Sequence, residues 1–129
     1  MKARDYNLNS EHHEQAMLMR WCELNRNAIP ELQNFFAIPN GGQRNVIVAQ
    51  QLKAEGVKPG VPDLFLAYPC NGFAGLFVEM KRLMGGRLSP LQQEWRERLT
   101  KSGYAVRICA GWEAAKKEII EYLTPKTQN

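Results

Sequence analysis

The sequence predicts an α/β domain in which a small mixed sheet is flanked by helices, and three observations carry that expectation. Amphipathic stripes at helical spacing alternate along the chain with short apolar runs, so helices stand before, between and after strands. Two of the apolar runs, 64–68 and 75–81, are joined by Pro69-Cys70-Asn71-Gly72, a turn suited to a hairpin. The length of 129 residues fits one domain, and 44% hydrophobic with 23% charged residues is an ordinary globular composition.

Ser10 is a suitable N-cap, and Met17, Leu18, Trp21 and Leu24 follow at helical spacing, so a first helix is expected to run to about Arg26. Glu14 lies on the same stripe as Met17 and Leu18, which brings a carboxylate to the inward side of the first turns. Phe35-Phe36-Ala37-Ile38 reads as a short strand that Pro39-Asn40-Gly41-Gly42 breaks into a tight loop. A second helix is expected over 45–55, with Gly56 at its C-terminal end. The rigid loop Lys58-Pro59-Gly60-Val61-Pro62 then delivers Asp63 to the start of the strand Leu64 to Tyr68, and Gly75 to Lys81 returns beside it.

After the basic, Gly-containing loop 82–88, Ser89-Pro90 gives a cap and an N1 proline to a third helix with the stripe Leu91, Trp95 and Leu99. A strand over 104–109 and a helix over 112–123 complete the order α, β, α, β, β, α, β, α. The expected unit is a single domain, 1–129, with its core at about 10–123 and a polar tail at 124–129; there is no internal repeat or low-complexity tract.

Cys22, Cys70 and Cys109 are odd in number and form no Cys-x-x-Cys pair, so they read as reduced, buried or half-buried residues. Seventeen Lys and Arg against 13 Asp and Glu give a net charge of +4, which permits a polyanionic partner without demanding one. No stretch approaches the ~20 apolar residues of a membrane span, and the N-terminus lacks the apolar core of a signal peptide, so a cytoplasmic location is expected.

In Val78-Glu79-Met80-Lys81 the strand period of two puts Glu79 and Lys81 on one face and Val78 and Met80 on the other. Asp63, at the mouth of the hairpin partner, stands beside Glu79. Two carboxylates brought together repel unless a cation or a proton intervenes, so a hard divalent metal with oxygen ligands is the natural occupant. Mg²⁺ or Mn²⁺ on Asp63, Glu79 and the backbone carbonyl of Met80 would serve phosphodiester hydrolysis. Lys81 would position or deprotonate a water, or neutralise a phosphate oxygen. Glu-x-Lys alone is a weak signal and gains its weight from Asp63 before it and the Gln92-Gln93 helix after it.

Pro62-Asp63 followed by Glu79-Met80-Lys81 resembles the signature of the PD-(D/E)xK nuclease superfamily. The segments Gly56-Val57-Lys58-Pro59-Gly60-Val61-Pro62-Asp63-Leu64, Val78-Glu79-Met80-Lys81 and Arg87-Leu88-Ser89-Pro90-Leu91-Gln92-Gln93-Glu94-Trp95 resemble its VRR-NUC branch, the virus-type replication and repair nucleases. The resemblance spans about Glu14 to Ile120 and implies a restriction-endonuclease-like fold and metal-dependent hydrolysis of structured DNA. By the same resemblance, Glu14 is the early acidic residue that supports metal binding, Asp63, Glu79 and Lys81 are the catalytic core, and Gln92 is the helix glutamine, with Gln93 its competitor.

Asn40 and Arg44 in the glycine-rich loop, and Lys58, Arg82, Arg87 and Arg96 elsewhere, are candidate DNA contacts. His12 and His13 adjoin Glu14, but the metals that the resemblance implies prefer oxygen, and no third ligand stands at zinc spacing. Stand-alone members this short imply a homodimer, whose two sites could cut two strands of a four-way junction, and a phage or prophage origin.

Overall fold

The computed structural model describes residues 10–39 and 46–126. Helix α1 (Glu11–Asn25) starts where the Ser10 hydroxyl accepts the amide of His13 at 3.0 Å, satisfying one of the donors a helix leaves free in its first turn. A 3-10 helix (Pro30–Asn34), which the periodicity did not foreshadow, opens on a proline and feeds strand β1 (Phe35–Ala37). Helix α2 (Val46–Ala54) is followed by β2 (Leu64–Leu66) and β3 (Leu76–Lys81). Helix α3 (Pro90–Lys101), β4 (Ala105–Ala110) and α4 (Trp112–Leu123) complete the order expected from the sequence.

The four strands form one sheet in the order β1-β2-β3-β4. The first two pairings are antiparallel and β3 with β4 is parallel, because α3 carries the chain back across the sheet before β4 begins. The sheet is therefore mixed, as expected. Leu64, Leu66, Leu76, Val78, Met80 and Cys109 turn to one face, where Leu18 and Cys22 of α1 and Ala115 and Ile119 of α4 close the core. The other face carries Phe65, Phe77 and Tyr104, with ring centroids 4.3 Å apart for Phe65 and Phe77 and 5.3 Å for Phe77 and Tyr104.

Helix α3 covers this second face loosely. Its stripe is less buried than its periodicity suggests: Leu91 is 46% exposed, and Trp95 and Leu99 are half-buried. The reason is that α3 closes over polar groups and an open groove rather than over a sealed apolar layer. The cysteines are free; burial pushes the Cys22 thiol up to about 11 and the Cys109 thiol to about 12, so neither is a ready nucleophile. Among the described residues no helix is long and apolar enough to cross a membrane.

Gly111, between β4 and α4, has φ 91°, and a Cβ there would run into the Leu83 side chain and stand 3.2 Å from Glu14 Oε1. Gly111→Ala is expected to cost about 2 kcal/mol or more, from left-handed backbone and overpacking together, read as a lower midpoint of thermal unfolding. An unchanged midpoint would mean that the turn relaxes freely.

Candidate active site

The site forms where β2 and β3 part. Leu64 pairs with Val78, and the next positions along the two strands, which would join Asp63 to Glu79 and Pro62 to Met80, lie outside the ladder. Pro62 has no N–H to give, so the ladder cannot continue through it. The Asp63 side chain takes over instead: its Oδ2 accepts the Met80 amide at 2.7 Å, while its backbone carbonyl is pinned by the Ile38 amide at 2.8 Å. In an extended strand a residue's N–H and C=O point to the same edge, so the Met80 carbonyl faces the gap that Asp63 fills. The Lys81 carbonyl points the opposite way and accepts Gly111 N–H at 3.0 Å.

Glu79 and Lys81 share the face under α3, as the strand period requires, and both are buried, at 3% and 7% exposure. Their heads are joined by Gln92. Its Nε2 donates to Glu79 Oε2 at 3.0 Å, and its Oε1 accepts Lys81 Nζ, also at 3.0 Å. Lys81 Nζ lies 3.6 Å from Glu79 Oε2. Gln92 is held in turn by a capping box: Ser89 Oγ accepts the Gln92 amide at 3.2 Å and Gln92 Oε1 accepts the Ser89 amide at 2.9 Å. Gly86 packs directly on the Lys81 stem, where a Cβ would come within 2.9 Å of Lys81 Cβ.

Burial, the Asp63 charge and a hydrogen bond to Asp63 hold Glu79 well above the usual carboxylate range, at about 8, against the opposing pull of Lys81. Glu11 of α1 adds to the same upward shift; it was not singled out in the sequence, where its only signal is its place three residues before Glu14 on the first turn. Two oxygen-donor side chains brought together at the end of a sheet suit a hard divalent cation. Among the described residues no group of three or more His, Cys, Asp or Glu side chains forms a ready-made cage. Glu14, 5% exposed, is engaged elsewhere: its Oε1 accepts the backbone amide of Trp112 at 2.8 Å, at the start of α4, where the helix dipole favours a carboxylate.

The structure thus brings Asp63, Glu79, Met80, Lys81 and Gln92 together and sets Glu14 against α4. Lys58, Arg82, Arg87 and Arg96 are exposed, and the last lines a surface recess together with Gln93. Asn40 and Arg44 lie outside the described residues. Ser89, the residue that aims Gln92, was read only as a helix cap. Gln92→Ala is expected to lower kcat on DNA by about ten- to a hundredfold, the usual cost of losing a group that orients reacting residues, while Gln93→Ala stays near the parent; the reverse ranking in a cleavage assay would reassign the helix glutamine.

The VRR-NUC domain family model matches residues 5–113. A solved structure described as a VRR_NUC domain protein is similar to this chain at a TM-score of 0.74 and 26% identity, over 88% of each chain. No match was found among curated proteins. With the family match covering most of the chain, and a mixed α/β fold shared with that structure, the chain belongs to the VRR-NUC domain family, and its function is of the nuclease, DNA-processing kind.

Proposed function

We propose that the chain is a metal-dependent, structure-specific DNA endonuclease, acting as a homodimer on branched DNA such as four-way junctions. The observation that carries this reading is the meeting of two carboxylates, Asp63 and Glu79, with a buried lysine whose head is fixed by Gln92. Asp63 and Glu79, with the Met80 carbonyl at the same gap and Glu14 in support on α1, would hold Mg²⁺ or Mn²⁺, which supplies charge for the phosphate and a readily deprotonated water.

Lys81 keeps its ammonium at a set point beside Glu79, from which it neutralises a phosphate oxygen or orients the attacking water. Gln92 holds Lys81 and Glu79 in register, so that neither swings out when the substrate arrives. Lys58, Arg82, Arg87 and Arg96, with Asn40 and Arg44 from the sequence, would take the DNA backbone. Two copies related by a two-fold axis would cut both strands of a symmetric junction.

The test is cleavage of labelled four-way junction, fork and linear duplex with Mg²⁺, Mn²⁺ or chelator, for the parent and Asp63→Asn. Paired symmetric cuts in the junction, lost with chelator and in the variant, are expected. Cutting of simple forks by a monomer would replace the junction reading with that of a flap or nicking nuclease. A folded protein that binds DNA and cuts none would sink the catalytic reading and leave a binding module.

A further inference from the structure

We propose that an apolar groove beside Glu79 and Lys81 receives one unstacked nucleobase from the nucleotide next to the scissile phosphate. This rests on the DNA-processing reading above and narrows its substrate class to DNA whose bases leave the stack easily. The groove has a volume of about 380 Å³ and is lined by Ile38, Val57, Val61, Phe77, Trp95 and Leu99. That volume falls in the range of sites that enclose small aromatic ligands. Glu55 and Lys58 are the charged residues of its lining.

Position is the first argument for a base. Phe77 precedes Glu79 by one strand period on the same face, about 7 Å away, and Trp95 follows Gln92 by about one helical turn, about 5 Å along α3. The two elements that carry the reacting groups therefore also carry the groove's rings. A nucleotide whose phosphate sits at Lys81 has its own or its neighbour's base within reach of Phe77 and Trp95.

Rigidity is the second. The Trp95 indole N–H donates to the Pro59 carbonyl at 3.1 Å, and the Phe77 ring packs in a three-ring cluster with Phe65 and Tyr104. Neither ring has to be ordered when a base arrives, so little binding energy is lost to immobilisation. Charge is the third argument: the Arg98 guanidinium lies 4.6 Å from the Trp95 ring centroid, and Lys58 stands in the groove lining with Glu55, so a cation adjoins the indole where a nucleotide's phosphate would run. A helix or loop of a protein partner would use the apolar lining but not this pairing of rings and cations.

A base inside an intact duplex must be unstacked first, at a cost of a few kcal/mol that falls for mismatched or unpaired bases. The groove therefore links cutting to branch points, where such bases are present already.

The test is an abasic scan. Affinity of the full chain for a fork or junction is measured by fluorescence anisotropy in chelator, with one abasic nucleotide moved stepwise past the cleavage position. The parent should lose about tenfold in affinity at one or two adjacent positions, the scale of one base on an aromatic ring, and be indifferent elsewhere. Val57→Trp fills the groove with apolar volume rather than emptying it. It should bind the unsubstituted DNA about tenfold more weakly and show a flat scan.

Thermal unfolding checks that Val57→Trp is folded, and Leu99→Phe serves as a second filling variant if it is not. A flat scan in the parent, or an unchanged position dependence in a folded filling variant, overturns the proposal. So does a shift in oligomeric state with the scan intact, which would assign the groove to a contact between copies. Cleavage of the same unsubstituted DNA with Mg²⁺ separates the two readings: cutting with a flat scan sinks the groove alone, and a positional scan without cutting sinks the catalytic reading alone.

Discussion

Replacing Lys81 with methionine should lower kcat on any DNA substrate by about a hundred- to a thousandfold, the usual cost of removing one fixed donor to developing charge, with KM changed only a few-fold. The methionine keeps the stem that Gly86 packs against, so the fold is spared while the ammonium is lost. What disappears is a cation held 3.0 Å from Gln92 Oε1 and 3.6 Å from Glu79 Oε2, at a point the protein fixes before substrate binds. On the proposed reading, ground-state affinity would rest mainly on exposed basic groups along the surface, hence the split between kcat and KM. Single-turnover cleavage with saturating Mg²⁺ is the measurement. A variant within about tenfold of the parent would remove Lys81 from the chemistry.

The second large effect concerns stability without divalent cations. Burial and the neighbouring Asp63 charge push the Glu79 carboxyl up to about 8 in the fold, from about 4.5 for a free glutamate side chain. Between those values the folded chain holds a proton that the unfolded chain has released, so raising the pH favours unfolding. The contribution of Glu79 is fully present below about 4.5 and lost as the pH climbs through about 8. Within that window each pH unit removes up to about 1.4 kcal/mol.

In chelator, the midpoint of thermal unfolding should therefore fall from mildly acidic to mildly alkaline conditions. Glu79→Gln, which keeps the shape without the titration, should flatten the decline. Mg²⁺ or Mn²⁺ added at pH 8 should raise the midpoint of the parent by mass action on the folded state and leave that of Glu79→Gln nearly unmoved. Stability that rises with pH across the window, or an equal slope in the variant, would contradict the upward shift of the Glu79 carboxyl.

What could be read from the chain beforehand was local. The Ser10 and Ser89 caps, the hairpin, and the common face of Glu79 and Lys81 all follow from spacing within a few residues, and all are present. Gln92 is preferred over Gln93 through the family resemblance, and the structure turns Gln92 toward Lys81 and Glu79. The bond from Met80 N–H to Asp63 exists only because two strands separate at Pro62, and no periodicity encodes that separation. The bond from the Trp112 amide to Glu14 spans 98 positions and could not be foreseen from either end. The looseness of α3 escaped for a related reason, since a helical stripe reports which side is apolar and not how completely a neighbour covers it.

Gln92 is at once the third residue of α3 and the clasp between Lys81 and Glu79. The first turn of a helix is its most easily frayed part, and here fraying and disassembly of the site are one event, because the same amide group serves Ser89 and the two charged heads. Warming should therefore silence the enzyme over a range in which the sheet and the α1–α4 core are still intact. Activity in this chain would act as a thermometer for a single helical turn.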